Sequence, residues 1–181
     1  MKITLSELPS PLGPMLLASD AQGRVRGLEF AERSSRLHRN LRAHCGGHEA
    51  VAGPAPKDTS CALERYFSGD LCALDGIGVA TAGSGLQEQV WAELRRLPAG
   101  TTTSYGALGR RLGLQDWRAA VEVGAMVGAN PVAIVVPCHR VVGAQGDLKG
   151  YAWGLHRKRW LLVHERAIQP QTDMPATAAL F

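Results

Sequence analysis

The chain has 181 residues, of which 45% are apolar and 20% charged, and its formal net charge is +4. This length and composition suit one or two compact domains with a sizeable core. No apolar run reaches the length of a membrane helix and the N-terminus lacks a leader-like pattern, so we expect a cytoplasmic protein.

The first part of the chain predicts a small strand-rich domain, residues 1–82. Three short apolar runs, separated by turns rich in Pro or Gly, predict an antiparallel meander. These runs are Ile3–Leu5, Met15–Ala18 and Val25–Phe30. A helix is expected in the charged stretch Glu32–Arg42, a loop over Gly46–Pro56, and a second helix over Cys61–Phe67.

The second part predicts a mainly helical domain, residues 83–167. Small residues at Thr81–Gly85 separate two regions of different pattern, which is typical of a domain boundary. Ser84 is placed to cap the first helix, in which Val90 and Leu94 lie on one face. We therefore expect an α/β fold of the α+β kind, with strands first and helices second.

Two shorter helices follow in this second domain. Ser104 is placed to cap one that stops at Gly113, and Asp116 is placed to cap another that continues to about Gly128. A pair of short helices joined by a Gly-containing turn is typical of a DNA-binding helix-turn-helix. An ordinary helical hairpin has the same pattern.

A continuous apolar run, Val132–Val136, follows the helix-breaking Asn130–Pro131. Such a run predicts a deeply buried strand or strand-like segment, which delivers Cys138 to the edge of the core. The last predicted helix covers about Leu155–Ala167. The remaining residues, 168–181, are rich in Pro, Gln and Thr and predict a flexible tail.

Basic residues are concentrated in the predicted helical domain. Residues 85–167 contain eleven Lys and Arg against six Asp and Glu, a balance of +5, whereas the rest contains nine against ten, a balance of −1. A polyanionic partner requires such an excess on the half that binds it, although modest basic excess is also common on solvated surfaces.

The chain has four cysteines, Cys45, Cys61, Cys72 and Cys138. Because their spacing does not resemble a disulfide framework or a zinc site, we interpret them as thiols and expect no metal. Cys138 stands out because His139 and Arg140 follow it. Cationic neighbours lower the pKa of a thiol and make it a nucleophile, so Cys138 is predicted to be reactive.

Residues 130–143 read Asn-Pro-Val-Ala-Ile-Val-Val-Pro-Cys-His-Arg-Val-Val-Gly. This segment resembles the active-site motif of the O6-alkylguanine-DNA alkyltransferases, also called methylated-DNA–protein-cysteine methyltransferases. The similarity extends over most of the second half, including Thr103–Gly106 and His164–Glu165. The first half begins with the family's typical Ser10–Pro14.

The resemblance implies direct-reversal DNA repair. A methyl or small alkyl group would pass from O6 of guanine in double-stranded DNA to Cys138, once per molecule, because the thioether product is too stable to reverse. The resemblance further implies no cofactor, a monomer, and a ribonuclease H-like first domain.

The resemblance also implies catalytic roles. The Cys138 thiolate would be activated by His139, which would communicate through water with Glu165, while Asn130 supports the turn that holds the cysteine. Tyr105 would donate a hydrogen bond to the base and help to turn the nucleotide out of the duplex.

Five residues would bind the substrate by resemblance: Val141, Tyr151, Ala152, Trp153 and Lys158. Backbone groups at Val141 would read the guanine edge, Tyr151 and Ala152 would lie over the pocket, and Lys158 would support that loop. Trp153 stands where some members have glycine. Its bulk would narrow the pocket and favour methyl groups, or its indole would offer a stacking surface.

Four residues are the expected DNA contacts: Ser104, Arg118, Val121 and Arg140. The target base is inaccessible in a stacked duplex and must be extruded. In the family the helix pair enters the minor groove and an arginine fills the gap left by the base. Counting back from Asn130 places Val121 at that position, where it would act as a small apolar wedge, or Arg118 would reach in from one turn away.

Two other functions fit parts of the pattern. A non-catalytic protein that binds alkylated DNA would account for the missing arginine, but relatives of that kind lack the cysteine. A hydrolase using Cys138, His139 and Glu165 would need an oxyanion hole, for which the sequence has no motif.

Overall fold

The computed structural model describes residues 1–114, 116 and 118–170. The elements of the first half are β1 (Lys2–Leu8), β2 (Met15–Asp20), β3 (Val25–Phe30), a 3₁₀ turn (Ala31–Arg33), α1 (Ser34–Cys45), β4 (Glu49–Ala52) and α2 (Lys57–Phe67). The four strands form one sheet of order β3-β2-β1-β4, in which β2 is antiparallel to both β1 and β3. The predicted meander is confirmed.

The prediction of a loop over Gly46–Pro56 is wrong for Glu49–Ala52, which form β4. This strand pairs in parallel with β1, from Lys2 opposite Glu49 to Leu5 opposite Ala52. Its composition is weakly strand-like, and the open edge of β1 supplies the hydrogen-bonding partners that local pattern did not reveal.

The elements of the second half are α3 (Gly85–Arg95), β5 (Thr103–Ser104), α4 (Tyr105–Arg111), α5 (Ala119–Gly128), a 3₁₀ turn (Cys138–Arg140), β6 (Val141–Val142) and α6 (Leu155–His164). The strand-rich first half and helical second half agree with the expected α/β class. Among the described residues, no helix is both long and apolar enough to cross a membrane.

Two of the predicted helix caps are confirmed and one is wrong. Ser84 forms a reciprocal capping box with Gln87, and the Ser104 hydroxyl accepts from the Ala107 amide. Asp116 does not cap α5. Its carboxylate accepts from the Arg118 amide in the preceding turn, and Arg118 takes the N-cap position without a side-chain cap.

The apolar run Val132–Val136 is buried as predicted, but it forms turns instead of a regular strand. Its first part is held on the edge of β3, because Leu28 donates to the Pro131 carbonyl at 3.0 Å and accepts from Ala133 at 2.8 Å. Ile134 then adopts a φ of +66°, an unusual conformation for a β-branched residue. The run therefore reverses sharply just before Cys138.

The main hydrophobic core draws residues from both halves. It includes Met15, Leu28 and Phe30 of the sheet together with Trp91 and Leu161 of the helical half. The boundary between residues 82 and 83 stays a prediction. α6 ends at His164, earlier than predicted, and Arg166 has a φ of +61°.

Candidate active site

Cys138 begins a 3₁₀ turn directly after the buried run, and only 4% of its surface is exposed. The Asn130 side-chain amide donates to Cys138 Sγ at 3.1 Å and to the Val136 carbonyl at 2.8 Å. The Asn130 carbonyl oxygen accepts from the Val132 amide at 2.9 Å. One fully buried amide thus contacts the thiol and ties together the two ends of the turn that presents it.

The prediction that His139 and Arg140 give Cys138 a lowered pKa is wrong for this structure. Burial raises the pKa of the thiol to about 11. The Asn130 hydrogen bond and the charges of Lys158 and Arg36 act in the opposite direction but do not offset desolvation. Cys138 is therefore a protonated thiol at neutral pH, and a nucleophile forms only when a base removes its proton.

His139 lies next to this thiol in sequence and is fully buried. Its Nε2 lies 2.9 Å from Glu165 Oε1, so the contact expected through water is direct. Although burial acts to raise it, the pKa of Glu165 lies well below its ordinary range because His139 and Arg140 stabilise the carboxylate. An ionised Glu165 accepts a hydrogen bond from Nε2–H, which fixes the tautomer of a neutral imidazole.

The other ring nitrogen of His139, Nδ1, is buried and has no hydrogen-bond partner among the described residues. In the tautomer set by Glu165 this nitrogen carries a lone pair. Burial lowers the pKa of His139, against the opposing effect of Glu165, which keeps the ring neutral at physiological pH. His139 has the protonation state that a general base requires.

The expectation that Arg140 contacts DNA is not supported. Its guanidinium is buried and donates to both oxygens of Glu165, at 2.9 and 2.8 Å, and to the Leu97 carbonyl. The 3₁₀ turn directs this side chain into the core, away from a surface that DNA could contact. Its role is to hold Glu165.

Sequence reasoning missed Tyr66, whose hydroxyl donates to Glu165 Oε1 at 2.8 Å. This residue lies on α2, in the first half of the chain. The available signal was weak: a tyrosine in the apolar pattern of a helix, whose hydroxyl needs a partner when buried.

Lys158 lies beneath the loop that follows the cysteine. Its ammonium is fully buried and donates to the carbonyls of Val141, at 2.6 Å, and Lys149, at 3.2 Å. Burial lowers the pKa of Lys158 to about 8. These contacts join α6 to the two ends of the 141–149 segment, which precedes the Tyr151–Ala152 loop that Lys158 was expected to support. Its support of that loop stays a prediction.

Trp153 is almost fully buried, and its indole N–H donates to Glu29, a carboxylate of β3. The Arg36 guanidinium lies 4.9 Å from the indole centroid, and the Tyr151 ring meets the indole edge-on at 5.0 Å. With its N–H and one face engaged by the protein, the indole does not offer the open stacking surface considered above. Its effect on pocket width stays a prediction.

Arg36 joins the first half to the Asn130 turn and was also missed by the sequence analysis. It pairs with the fully buried Glu29 and donates to the carbonyls of Gly128, at 2.9 Å, and Asn130, at 3.1 Å. Arg36 therefore holds the end of α5 and the start of the turn that leads to Cys138.

Tyr105 begins α4 and is half-buried. Burial and the neighbouring Cys138 raise the pKa of its phenol, so the hydroxyl is a neutral donor. Its ring faces α5, because a Cβ built on Gly124 would lie 3.7 Å from the ring. The tyrosine thus packs against α5 and lies near the thiol.

The helix pair exposes an apolar side chain together with basic ones. Val121 on α5 is 73% exposed. The exposed arginines on α4, Arg110 and Arg111, and Arg118 at the start of α5 provide positive charge on the same pair of helices. Other basic residues of this half, such as Arg140 and Lys158, are used inside the protein.

No group of three potential metal ligands from His, Cys, Asp and Glu occurs in the part of the chain that the structure describes. Cys61 and Cys72 are exposed, and Cys45 is partly buried near the end of α1. Cys138 is the cysteine that has a candidate base, His139, beside it.

Comparisons with known proteins decide the family. The methylated-DNA–protein-cysteine methyltransferase of Salmonella typhimurium is 41% identical over 167 residues, which cover 91% of this chain and 96% of that protein. This chain belongs to the methylated-DNA–protein-cysteine methyltransferase family. The family model for the DNA-binding domain of 6-O-methylguanine DNA methyltransferase matches residues 85–167.

Further members of the methyltransferase family agree over the whole fold. The enzyme of that name from Methanosarcina acetivorans is 37% identical and covers 86% of this chain and 94% of its own length. A crystal structure of Mycobacterium tuberculosis OGT in complex with DNA is 34% identical, covers 91% of this chain and 93% of that one, and superposes with a TM-score of 0.74.

Proposed function

We propose that this chain repairs DNA by transferring a methyl or other small alkyl group from O6 of guanine to Sγ of Cys138, once per molecule. The observation that carries the proposal is a buried thiol next in sequence to a neutral histidine. The Nε2 of that histidine is paired with Glu165, and its Nδ1 has no hydrogen-bond partner in the described part of the chain, which belongs to this family. The same arrangement suits no non-catalytic binding protein, which would have no use for a poised base.

The thiol proton of Cys138 passes to Nδ1 of His139, directly or through one water molecule, and Glu165 stabilises the imidazolium. The thiolate attacks the alkyl carbon in line, an S–C bond forms, and the C–O6 bond breaks with its electron pair on guanine. Guanine takes up one proton, so the proton lost by the thiol is accounted for. The thioether has no leaving group that water can displace, and the protein is consumed.

Delaying thiolate formation suits a single-use protein. A thiol whose pKa is about 11 resists stray electrophiles and oxidation, both of which need the thiolate. A bound alkylguanine brings its alkyl carbon to the sulfur, so the thiolate that proton transfer forms is used at once in the attack on that carbon. The reactive form would therefore be generated only with the substrate in place.

The helix pair α4 and α5 would form the DNA-binding helix-turn-helix and enter the minor groove. Val121 is exposed enough to serve as the apolar wedge in the stack, and Arg118 and the α4 arginines would contact phosphates. Tyr105, which packs against α5 near the thiol, would help to extrude the base, and Ser104 would contact the adjacent backbone. We further propose a cytoplasmic monomer whose first domain is ribonuclease H-like.

The test is intact-mass spectrometry after incubation with duplex DNA that contains one O6-methylguanine. We expect a gain of one methyl group per chain, which peptide mapping places on Cys138. Cys138→Ser should gain nothing, whereas Cys61→Ser, at an exposed cysteine, should react like the wild type.

Three other outcomes would overturn the proposal. Retardation of the damaged duplex without a mass change would make the protein a lesion binder. Methylation of Cys61 or Cys72 instead of Cys138 would show that the site around Cys138 does not carry out the transfer. Repeated turnover on acyl substrates would favour a hydrolase.

A further inference from the structure

One oxygen of Glu165 receives three hydrogen bonds. Oε1 accepts from Tyr66 at 2.8 Å, from His139 Nε2 at 2.9 Å and from an Arg140 guanidinium nitrogen at 2.8 Å. One carboxylate oxygen has about two lone pairs, so three donors share them and a stronger bond from one weakens the bonds from the others. The tyrosine therefore acts on the same atom that orients the histidine.

The position of the Tyr66 hydroxyl is fixed by the surrounding packing. Its side chain is fully buried, and its ring meets Phe67 edge-on at 5.3 Å and His164 at 5.1 Å. His164 Nε2 lies 2.8 Å from the Tyr66 carbonyl, which fastens the end of α2 to α6. Burial and the charge of Glu165 raise the pKa of Tyr66 well above its ordinary range, so the phenol stays protonated and donates at every pH relevant to repair.

We propose that Tyr66 is a positioning residue that sets the basicity of His139 through Glu165 Oε1. This inference rests on the proposed methyl transfer, in which His139 takes the thiol proton. By sharing Oε1, the phenol limits how strongly the carboxylate stabilises a protonated imidazole. The first half of the chain thus tunes the base of the reaction from a helix outside the matched DNA-binding domain.

Other groups that face this carboxylate and histidine come from neighbouring elements. They are Arg140 on the 3₁₀ turn, Lys158 on α6 and Tyr151 on the segment between them, while His164 on α6 faces Tyr66 itself. Arg140 keeps Glu165 ionised whether or not the phenol is present, because its two bonds reach both oxygens. Loss of the phenol should therefore change the strength of the His139 contact and not the charge of Glu165.

The experiment compares Tyr66→Phe with the wild type by two readouts. The first is the pH profile of the rate of methyl transfer to Cys138 under single-turnover conditions. The second is the titration of His139 by NMR in the DNA-free protein, assigned with His139→Gln. Without the phenol, Glu165 should stabilise the imidazolium more strongly and raise the pKa of His139 by about half a unit to one unit. The acid limb of the rate profile should move upward equally, which lowers the rate at acidic pH by about three- to tenfold.

Phe67→Leu is the matched control, because it disturbs the same aromatic cluster without touching Glu165. It should reduce thermal stability and leave both midpoints unchanged. A His139 titration that is unmoved in Tyr66→Phe, or moved equally in Phe67→Leu, overturns the inference. If the wild type acquires no methyl group, the proposed function fails, yet the NMR titration still decides whether Tyr66 controls His139.

Discussion

Replacing Arg36 with methionine should lower the free energy of unfolding by about 3–5 kcal/mol, the usual cost of removing one partner of a buried ion pair. Arg36 is 13% and Glu29 0% exposed in their side chains, so solvent cannot replace the lost partner. The carbonyls of Gly128 and Asn130 also lose a donor. Trp153 would remain as a partner of Glu29, which prevents a larger loss.

The loss should also depend on pH. Burial already raises the pKa of Glu29, and the charge of Arg36 opposes that rise. Without Arg36 the pKa of Glu29 rises further, so the native variant holds a proton that the unfolded chain releases. Its stability then falls as pH increases above the ordinary range for glutamate. The difference from wild type should therefore be larger at pH 7.5 than at pH 5.

Urea unfolding at the two pH values measures both effects. Arg39→Met is the matched control, because this residue is exposed on the same helix, and it should change stability by less than about 0.5 kcal/mol. Glu29→Gln combined with Arg36→Met should recover part of the loss. A cost below about 1 kcal/mol, or one that is the same at both pH values, would refute this account of the buried pair.

Three further predictions follow from the site. Val121→Arg should tighten binding to duplex DNA at low salt, measured by fluorescence anisotropy, and unchanged or weaker affinity would contradict the proposed place of α5 on DNA. Asn130→Ala should cost roughly 2–4 kcal/mol in urea unfolding, because it removes the amide's three hydrogen bonds. It should also slow methyl transfer at least about tenfold. The free energy of unfolding of the wild type, minus that of Lys158→Met, should increase from pH 8 up to the ordinary lysine pKa. The reason is that the unfolded wild-type chain binds a proton that native Lys158 has released. A flat difference across that range would show that the ammonium is not desolvated as described.

The sequence predicted the helices and strands best where local signals were strong. The capping serines Ser84 and Ser104 lie at the predicted helix starts because a hydroxyl at that position satisfies free backbone amides. β4 was missed because its formation depends on a partner strand some fifty residues away in sequence. The run Val132–Val136 was correctly predicted to be buried, but apolar composition does not distinguish a strand from a turn packed on a strand edge.

The residues of the candidate site were likewise predicted where the signal was local and missed where it depended on the whole fold. The motif identified Cys138, His139 and Asn130, whose neighbours in sequence define the turn. The direction of Arg140 depends on a 3₁₀ turn that adjacency does not reveal, and the high pKa of the thiol depends on burial by the whole fold. Tyr66 and Arg36 reach the site across 99 and 94 residues of sequence, so no local pattern could have shown their partners.

The core shared by the two halves has a consequence for synthesis. The sheet is translated first, and its apolar side chains Met15, Leu28 and Phe30 pack against residues as late as Leu161. At about 5–20 residues per second, the roughly 110 residues that follow β4, up to Leu161, take roughly 5–22 seconds to emerge. During that interval the apolar face of the nascent sheet stays exposed, because the residues that cover it have not yet been made. The rate at which new repair molecules replace spent ones should therefore depend on the chaperones that shield this face.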